Sequence, residues 1–350
     1  MKILITGSSG QIGTNLALAL LKRGDEVLGI DKRKNTWTAD IPTLISDLTA
    51  PLPKQSLDQT DAFSADAIVH LAAWAKVHQL VKEPEKALEN VTMTFSALEL
   101  ARRSGKGAAI VFGSSREVYG DVLRHVTDES MADFVVAESP YSASKIAGEA
   151  FFSSYARCYN LKTLVFRFSN VYGRYDNDLE RMERVIPLFV KKIAAGEPIT
   201  VFGKDKMLDF TYIDDCIAGI TAGIDALTNP SSTKPPASPP LPSPTLAASR
   251  TPHITQPDIP TNPTNSPLAG QTINLAYGQG QTLYDLVSLI ELSLNKKAQA
   301  TYAPSQTGEV TRYVADISKA KSLLGYSPKT PLTRGIAQYI QWCRDTNFIP

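Results

Sequence analysis

The sequence predicts an α/β chain, a doubly wound parallel sheet followed by a smaller C-terminal lobe. Three observations predict it. Short β-branched and leucine-rich runs alternate with longer amphipathic stretches through the first half of the chain. A glycine-rich turn joins the first run to the first amphipathic stretch. The alternation then loosens after Asn170, where short strands and helices no longer follow one another in strict order.

Taken in order, Lys2 to Thr6 (KILIT) reads as a buried parallel strand stopped by Gly7. Leu16, Leu20 and Leu21 lie at helical spacing within Asn15 to Arg23, Gly24 ends that helix, and Glu26 to Ile30 is a second strand. Strand, turn, helix and strand within about 30 residues make one βαβ unit, which pairs its strands in parallel. Ala67 to Leu71 is a strand, Pro84 to Arg103 a long amphipathic helix, Ala108 to Gly113 a strand, Ser142 to Asn160 a helix, and Thr163 to Phe168 a strand. Beyond Asn170, helices are expected over Val185 to Ala195 and Leu283 to Leu294, and strands over Thr200 to Phe202 and Gln271 to Leu275, all assigned to the smaller lobe. The expected division is residues 1–169 as one domain, with about 209–229 returning to it, and 170–350 mainly as the second lobe. Residues 230–269 hold 12 Pro, 12 Ser or Thr and only three charged side chains, so they predict a flexible surface insertion.

Composition excludes several classes. The chain has 350 residues, 43% hydrophobic and 20% charged, in the range of ordinary globular proteins. Lys plus Arg is 36 against 35 Asp plus Glu, a net charge of +1, which argues against nucleic-acid or membrane-surface binding. Cys158, Cys216 and Cys343 are far apart with no CxxC pair, so no metal site is expected, and a cytoplasmic location is. No apolar run is long enough to cross a membrane, and no secretory signal is expected, because the sequence opens directly into a strand pattern. Asn90-Val91-Thr92 matches a glycosylation sequon and reads as chance in that compartment.

Gly7-Ser8-Ser9-Gly10-Gln11-Ile12-Gly13 is a GxxGxxG turn between strand and helix, the context of a Rossmann-type dinucleotide site. One glycine permits the tight turn, another lets a pyrophosphate approach, and the last allows close helix–strand packing. The helix N-terminus at Gln11 and Ile12 offers free N–H groups to phosphate. Asp31 follows the second strand, 18 residues after Gly13, where a carboxylate accepts ribose hydroxyls and repels a 2′-phosphate, so NAD is expected over NADP. Lys32 and Arg33 oppose that reading. Asp47 and Leu48 are placed to touch the adenine edge.

Tyr141 and Lys145, four residues apart at a helix start, share one face. An ammonium beside a phenol favours phenolate, so Lys145 is expected to lower the Tyr141 pKa toward the working range. Ser115 lies just past a strand end, where the sheet faces its ligand crevice.

The order GSSGQIG, HLAA (His70 to Ala73), FGSSREVYG (Phe112 to Gly120), PYSASK (Pro140 to Lys145), RFSNVYG (Arg167 to Gly173), LDFTYIDD (Leu208 to Asp215) and GEVTRYVADISKAKSLLGYSP (Gly308 to Pro328) resembles the extended short-chain dehydrogenase/reductase family. Within it, the chain is similar to nucleotide-sugar epimerases, dehydratases and decarboxylases. The resemblance implies that Tyr141 takes a proton from a sugar hydroxyl, usually at C4, while hydride passes to NAD. It implies that Lys145 holds the nicotinamide ribose and that Ser115 binds the reacting oxygen. Leu71, Ala72, Ala73 and Asn90 would line or order the dinucleotide site; Asn170 and His78 would meet the substrate, and Arg312 the nucleotide diphosphate. His70 reads as a core residue. A homodimer through a helix bundle that includes the Tyr141 helix is implied as well.

Family members divide after the first oxidation. Glu117 stands where dehydratases and decarboxylases carry a glutamate, whereas Arg116 replaces the acid of a dehydratase and cannot donate a proton. Arg116 is a good partner for a carboxylate, which makes a uronic acid an expected substrate, unless it pairs with Glu117 or points to solvent. Many relatives carry Arg where Leu208 stands, and Lys204 or Lys206 are the substitutes at hand. The expectation is therefore an NAD-dependent epimerase acting on a UDP-linked hexose or uronic acid. A decarboxylase or 4,6-dehydratase using Glu117 is the alternative, and a non-catalytic dinucleotide-binding protein the remote one.

Overall fold

The structure, a computed structural model, describes residues 1–120, 137–229, 266–305 and 310–350. The first half contains the expected strands and helices, with β3, α2 and α3 in addition: β1 (Lys2–Thr6), α1 (Gln11–Arg23), β2 (Glu26–Asp31), β3 (Thr43–Ile45), α2 (Lys54–Phe63), β4 (Ala67–His70), α3 (Val77–Lys82), α4 (Glu85–Arg103), β5 (Ala109–Ser115), α5 (Pro140–Tyr159) and β6 (Thr163–Phe168). There follow β7 (Asn170–Tyr172), α6 (Val185–Ala195), β8 (Pro198–Phe202), β9 (Met207–Tyr212), α7 (Ile213–Thr228), β10 (Gln271–Leu275), β11 (Gly280–Thr282), α8 (Leu283–Leu294), β12 (Gln299–Ala303), α9 (Ser318–Leu324) and α10 (Leu332–Asp345).

Seven strands form one sheet in the order β10-β6-β5-β4-β1-β2-β3, every neighbouring pair parallel. Successive residues face opposite sides. Ile3 and Ile5 join one apolar cluster with Leu16, Val69 and Phe166, while Leu4 joins the other with Ile68, Phe112 and Phe152. Helices therefore cover both faces, and the strands read as unbroken apolar runs. The remaining strands make two small sheets, β11-β9-β7 and β12-β8.

Some boundaries differ from expectation for physical reasons. α1 starts at Gln11 rather than Asn15, because Gly10 is already the extended N-cap residue. α5 starts at Pro140, since Ser139 and Ser142 form a reciprocal capping box and proline suits the first turn. β5 continues to Ser115, held by register with Arg167 and Phe168 of β6. Gln271–Leu275, assigned to the smaller lobe from sequence, is the outermost strand of the main sheet, paired with β6. Most of the expected insertion, residues 230–265, lies outside the described residues, as do Gly308 and Glu309 of the last motif. Its final residues belong to the core: Leu268 is fully buried, and Ser266 donates to the Ala226 carbonyl at the end of α7.

α5 is fixed to the sheet by a buried polar group. Glu149 accepts from Ser114 at 2.6 Å and pairs with Arg167 at 2.6 Å, the pair only 5% and 3% exposed. That anchor sets the height of Tyr141 and Lys145 relative to the end of β5.

Candidate active site

A cavity of about 980 Å³ runs from the glycine turn, across the carboxyl ends of β1, β4 and β5, to the smaller lobe. That volume lies at the upper end for ligand sites.

The turn after β1 is built for close approach. Gly7 has φ +74°, and a Cβ there would sit 2.7 Å from the Ala72 nitrogen. A Cβ on Gly13 would meet the Gly7 carbonyl oxygen at 2.2 Å, so helix and turn touch only because residue 13 is glycine. Gln11 and Ile12 begin α1 on the cavity wall. Asp31, at the end of β2, accepts the backbone N–H groups of Ser9 and Arg33, each at 3.0 Å. Lys32 also lines the cavity, with its ammonium 3.7 Å from the centre of the Trp74 ring. Asp47, Leu48, Leu71, Ala72 and Ala73 line the same stretch. A glycine cradle under a helix N-terminus, with a carboxylate one strand away, fits a dinucleotide.

Asn90 does not line the cavity. It is 3% exposed and fixes the wall from behind: its Oδ1 accepts from the Trp74 nitrogen at 2.7 Å, and its Nδ2 donates to the Trp74 carbonyl at 3.0 Å and to Ser144 at 3.1 Å. His70 is a core residue as expected, bonded to Thr6 and Thr94, and burial pushes its pKa down to about 3.

Ser115, Tyr141 and Lys145 stand together on the cavity wall. The Ser115 hydroxyl accepts from the Glu117 nitrogen at 3.2 Å and is the hydrogen-bond neighbour of the Tyr141 phenol. Lys145 donates to the Gly113 carbonyl at 2.8 Å, and its ammonium is 5.8 Å from the centre of the Tyr141 ring. The expected lowering of the Tyr141 pKa is absent in the protein alone. Burial pushes the phenol up to about 12, against the pull of Ser115, and Glu117 adds to the rise, while Arg184 and Arg116 oppose it. Burial pushes Lys145 down to about 8, against the Glu149 carboxylate. Desolvation wins at both groups because both are enclosed.

Arg116 pairs with Glu117 at 2.9 Å, as one of the two readings had it. Its Nη1 is nevertheless buried without a hydrogen-bond partner among the described residues, and the side chain lines the cavity. Asn170 and Leu208 line the far end, and Lys206, 7% exposed, stands beside them. His78 is exposed at the cavity mouth on α3, not packed. Arg312 is half-buried, bridges Met207 and is not on the cavity wall.

Sequence reasoning missed Arg181 and Arg184. They lie in an irregular stretch after β7 with neither helical nor strand period, and only the fold brings them to the glycine turn. Arg181 donates to the Ser9 carbonyl at 2.9 Å, and Arg184 contacts the Gln11 side chain.

Residues 3–235 match a family described as NAD dependent epimerase/dehydratase. UDP-glucuronate 4-epimerase 1 of Arabidopsis thaliana is 28% identical, over 98% of this chain and 76% of its own length. A Bacillus subtilis protein named as an uncharacterized UDP-glucose epimerase is 29% identical, over 98% of each chain. Among solved structures, UDP-glucuronic acid 4-epimerase from Bacillus cereus, in complex with UDP-glucuronic acid and NAD, superposes with a TM-score of 0.77 at 25% identity, over 99% of this chain and all of that one. UDP-glucose 4-epimerase from Thermotoga maritima gives a TM-score of 0.80 at 23% identity, over 99% and 100% of the two chains, a likeness of fold.

Proposed function

We propose, from the premise that this chain belongs to the NAD dependent epimerase/dehydratase family, that it inverts C4 of a UDP-linked sugar and that a uronic acid is the favoured glycosyl group. The observation that carries this reading is the grouping of Ser115, Tyr141 and Lys145 on one wall of a cavity whose other end is the glycine turn. The relatives named for UDP-glucuronate and UDP-glucose epimerisation support the choice of nucleotide and reaction.

Bound NAD supplies an acceptor that takes a hydride from carbon and can give it back. The protein's part is proton handling and orientation. Tyr141 takes the proton of the C4 hydroxyl, and Ser115 holds the same oxygen. Lys145 keeps positive charge beside the phenol, which must fall from about 12 for the transfer to run near neutrality. Once the keto sugar has turned over in the cavity, Tyr141 returns the proton and the opposite C4 configuration results. The buried Nη1 of Arg116 offers a charge-assisted donor to the C6 carboxylate of a uronic acid. Asn170 and His78 serve as further sugar contacts. Lys206, on the cavity wall where Arg312 is not, takes the diphosphate. Asn90 acts through Trp74 and Ser144.

Glu117 favours a second reading, decarboxylation. It is 6% exposed and close enough to raise the Tyr141 pKa. Elimination of water has less support, since Arg116 stands where an acid would be needed.

In the same proposal the chain is cytoplasmic and homodimeric; among the described residues no helix is long and apolar enough to cross a membrane. Leu88 and Phe95 of α4 and Phe151 and Tyr159 of α5 are exposed on adjoining helices, an apolar face suited to a second copy. Residues 1–169, with 209–229 and β10, would hold the dinucleotide, and most of 170–350 the substrate.

A panel of nucleotide sugars read by mass and retention time tests the reading. UDP-glucuronate should give a product of equal mass and new retention, and Arg116→Ala should slow it about 10- to 100-fold while leaving UDP-glucose less affected. Loss of carbon dioxide would replace epimerisation by decarboxylation. No product from any sugar, with NAD still bound, would leave a dinucleotide-binding protein.

A further inference from the structure

We propose that Arg181 and Arg184, seated against the glycine turn at Ser9 to Gln11, hold the pyrophosphate of the dinucleotide alongside the helix N-terminus, so that the cofactor stays bound between turnovers. The inference rests on the NAD reading above and concerns residues that neither the motifs nor the family resemblance single out.

The segment from Gly173 to Arg184 leaves β7, crosses the glycine turn and enters α6. Three contacts with the dinucleotide side hold it there. Asn15 of α1 donates to the Arg174 carbonyl at 3.0 Å. Trp37, after β2, donates to Asn177 at 2.9 Å, and its ring lies 5.6 Å from that of Tyr175. Lys76, after β4, reaches the Glu180 carbonyl at 3.4 Å. A dinucleotide seated along the ends of β2, β1 and β4 would lie beneath this strap.

The two arginines point at one spot. Arg181 engages only its Nη1, on the Ser9 carbonyl, among the described residues, and its Nη2 lies 3.5 Å from where a Cβ on Gly10 would be. Arg181 therefore packs directly against the turn at Gly10, at van der Waals distance, beside the open cavity rather than above it. Arg184 pairs with Asp176 at 3.0 Å and contacts Gln11 Oε1 through the same nitrogen. Gln11 is 7% exposed, opens the 13-residue α1, and its Nε2 is buried without a partner among the described residues. An unanswered donor, a helix N-terminus and two guanidinium groups therefore surround one space. After burial, Arg33 and Arg184 pull the Arg181 pKa below its usual value, while the Asp31 and Asp178 carboxylates oppose them. Cations crowded in a half-buried wall repel one another, and a doubly charged anion between them relieves that repulsion. Lying at Ser9 to Gln11, the space belongs to the dinucleotide's pyrophosphate, not to the substrate diphosphate near Lys206.

A purely structural role would have the arginines tie the smaller lobe to the sheet. NAD and adenosine binding to the purified full chain separate the two ideas, because adenosine uses the same pocket and carries no phosphate. Arg181→Ala should weaken NAD about 10- to 100-fold, chiefly through faster release, and leave adenosine unchanged; Arg181→Lys should recover part of the loss. Arg184→Gln, which keeps an amide in reach of Gln11, should show the same selective loss. NAD affinity and release unchanged in both variants would overturn the clamp, as would equal weakening of NAD and adenosine. A parent chain that does not bind NAD at all would overturn the cofactor reading together with the clamp.

Discussion

The wall formed by β1, β4 and β5 and the strap formed by Gly173 to Arg184 enclose the same cavity but hold their groups by different means. On the wall, backbone geometry fixes positions. Gly7 takes a left-handed φ, Gly13 has no room for a methyl group, and Ser115 ends a strand locked in register. On the strap, long side chains hold one another: Arg174 with Asp214, Arg184 with Asp176, Arg181 with a carbonyl. Covalent geometry tolerates almost no change, whereas an exposed pair such as Arg174–Asp214 contributes about 1 kcal/mol or less and rearranges readily; Arg184–Asp176, whose carboxylate is 5% exposed, is held more firmly. The contrast sets a rigid wall on one side of the cavity against a strap held by side chains on the other.

The largest effect belongs to the rigid wall. In the proposed function Tyr141→Phe removes the proton carrier, so turnover should fall by about 10³-fold while NAD affinity is kept. Turnover like that of the parent would mean that the wall is a support only, and the chemistry sits elsewhere.

Gly13→Ala comes next. A Cβ 2.2 Å from a carbonyl must move α1 or the turn, which costs about 1–3 kcal/mol and should weaken NAD roughly 10- to 100-fold. Titration with NAD and a thermal melt together check this. An unchanged affinity would show the turn to be as pliant as the strap.

The smallest effect is a pH dependence. Lys145 titrates near 8, below its ordinary 10.5, so its charge falls about tenfold between pH 7 and 9. The ratio of the Lys145→Arg rate to the parent rate should therefore rise by up to tenfold over that range, since arginine stays charged. The stability effect has the opposite sign. Between about 8 and 10.5 the folded chain binds fewer protons at this site than the unfolded chain, so the Lys145 contribution makes the fold more stable as pH rises. A flat rate ratio would place the needed charge on Arg116 or Arg184 instead.

Legibility followed the same division. The strand runs, the glycine turn, Asp31 and the Tyr141–Lys145 spacing were readable because each is a local pattern whose parts lie within a few residues. The outer strand Gln271–Leu275 was read as the right element in the wrong sheet, since a short apolar run carries no record of its neighbour. Asn90 is expected to help order the site, and the partners through which it reaches the wall, Trp74 and Ser144, lie 16 and 54 residues away, beyond any local pattern. The electrostatics were the least readable: spacing placed an ammonium near a phenol, but not the burial that outweighs it.

By itself, the sequence determined the parallel sheet, the glycine turn after β1 and the placement of Tyr141 and Lys145 on one face of a helix. Apolar periodicity and the absence of a side chain at fixed positions act through the chain's own covalent geometry. Only the tertiary structure decided which strand closes the sheet, where Lys32 and Arg116 direct their charge, and that two arginines more than 160 residues from the glycine turn come to lie over it. Those outcomes depend on which surfaces pack together and how far each group is removed from water, and no local pattern encodes them.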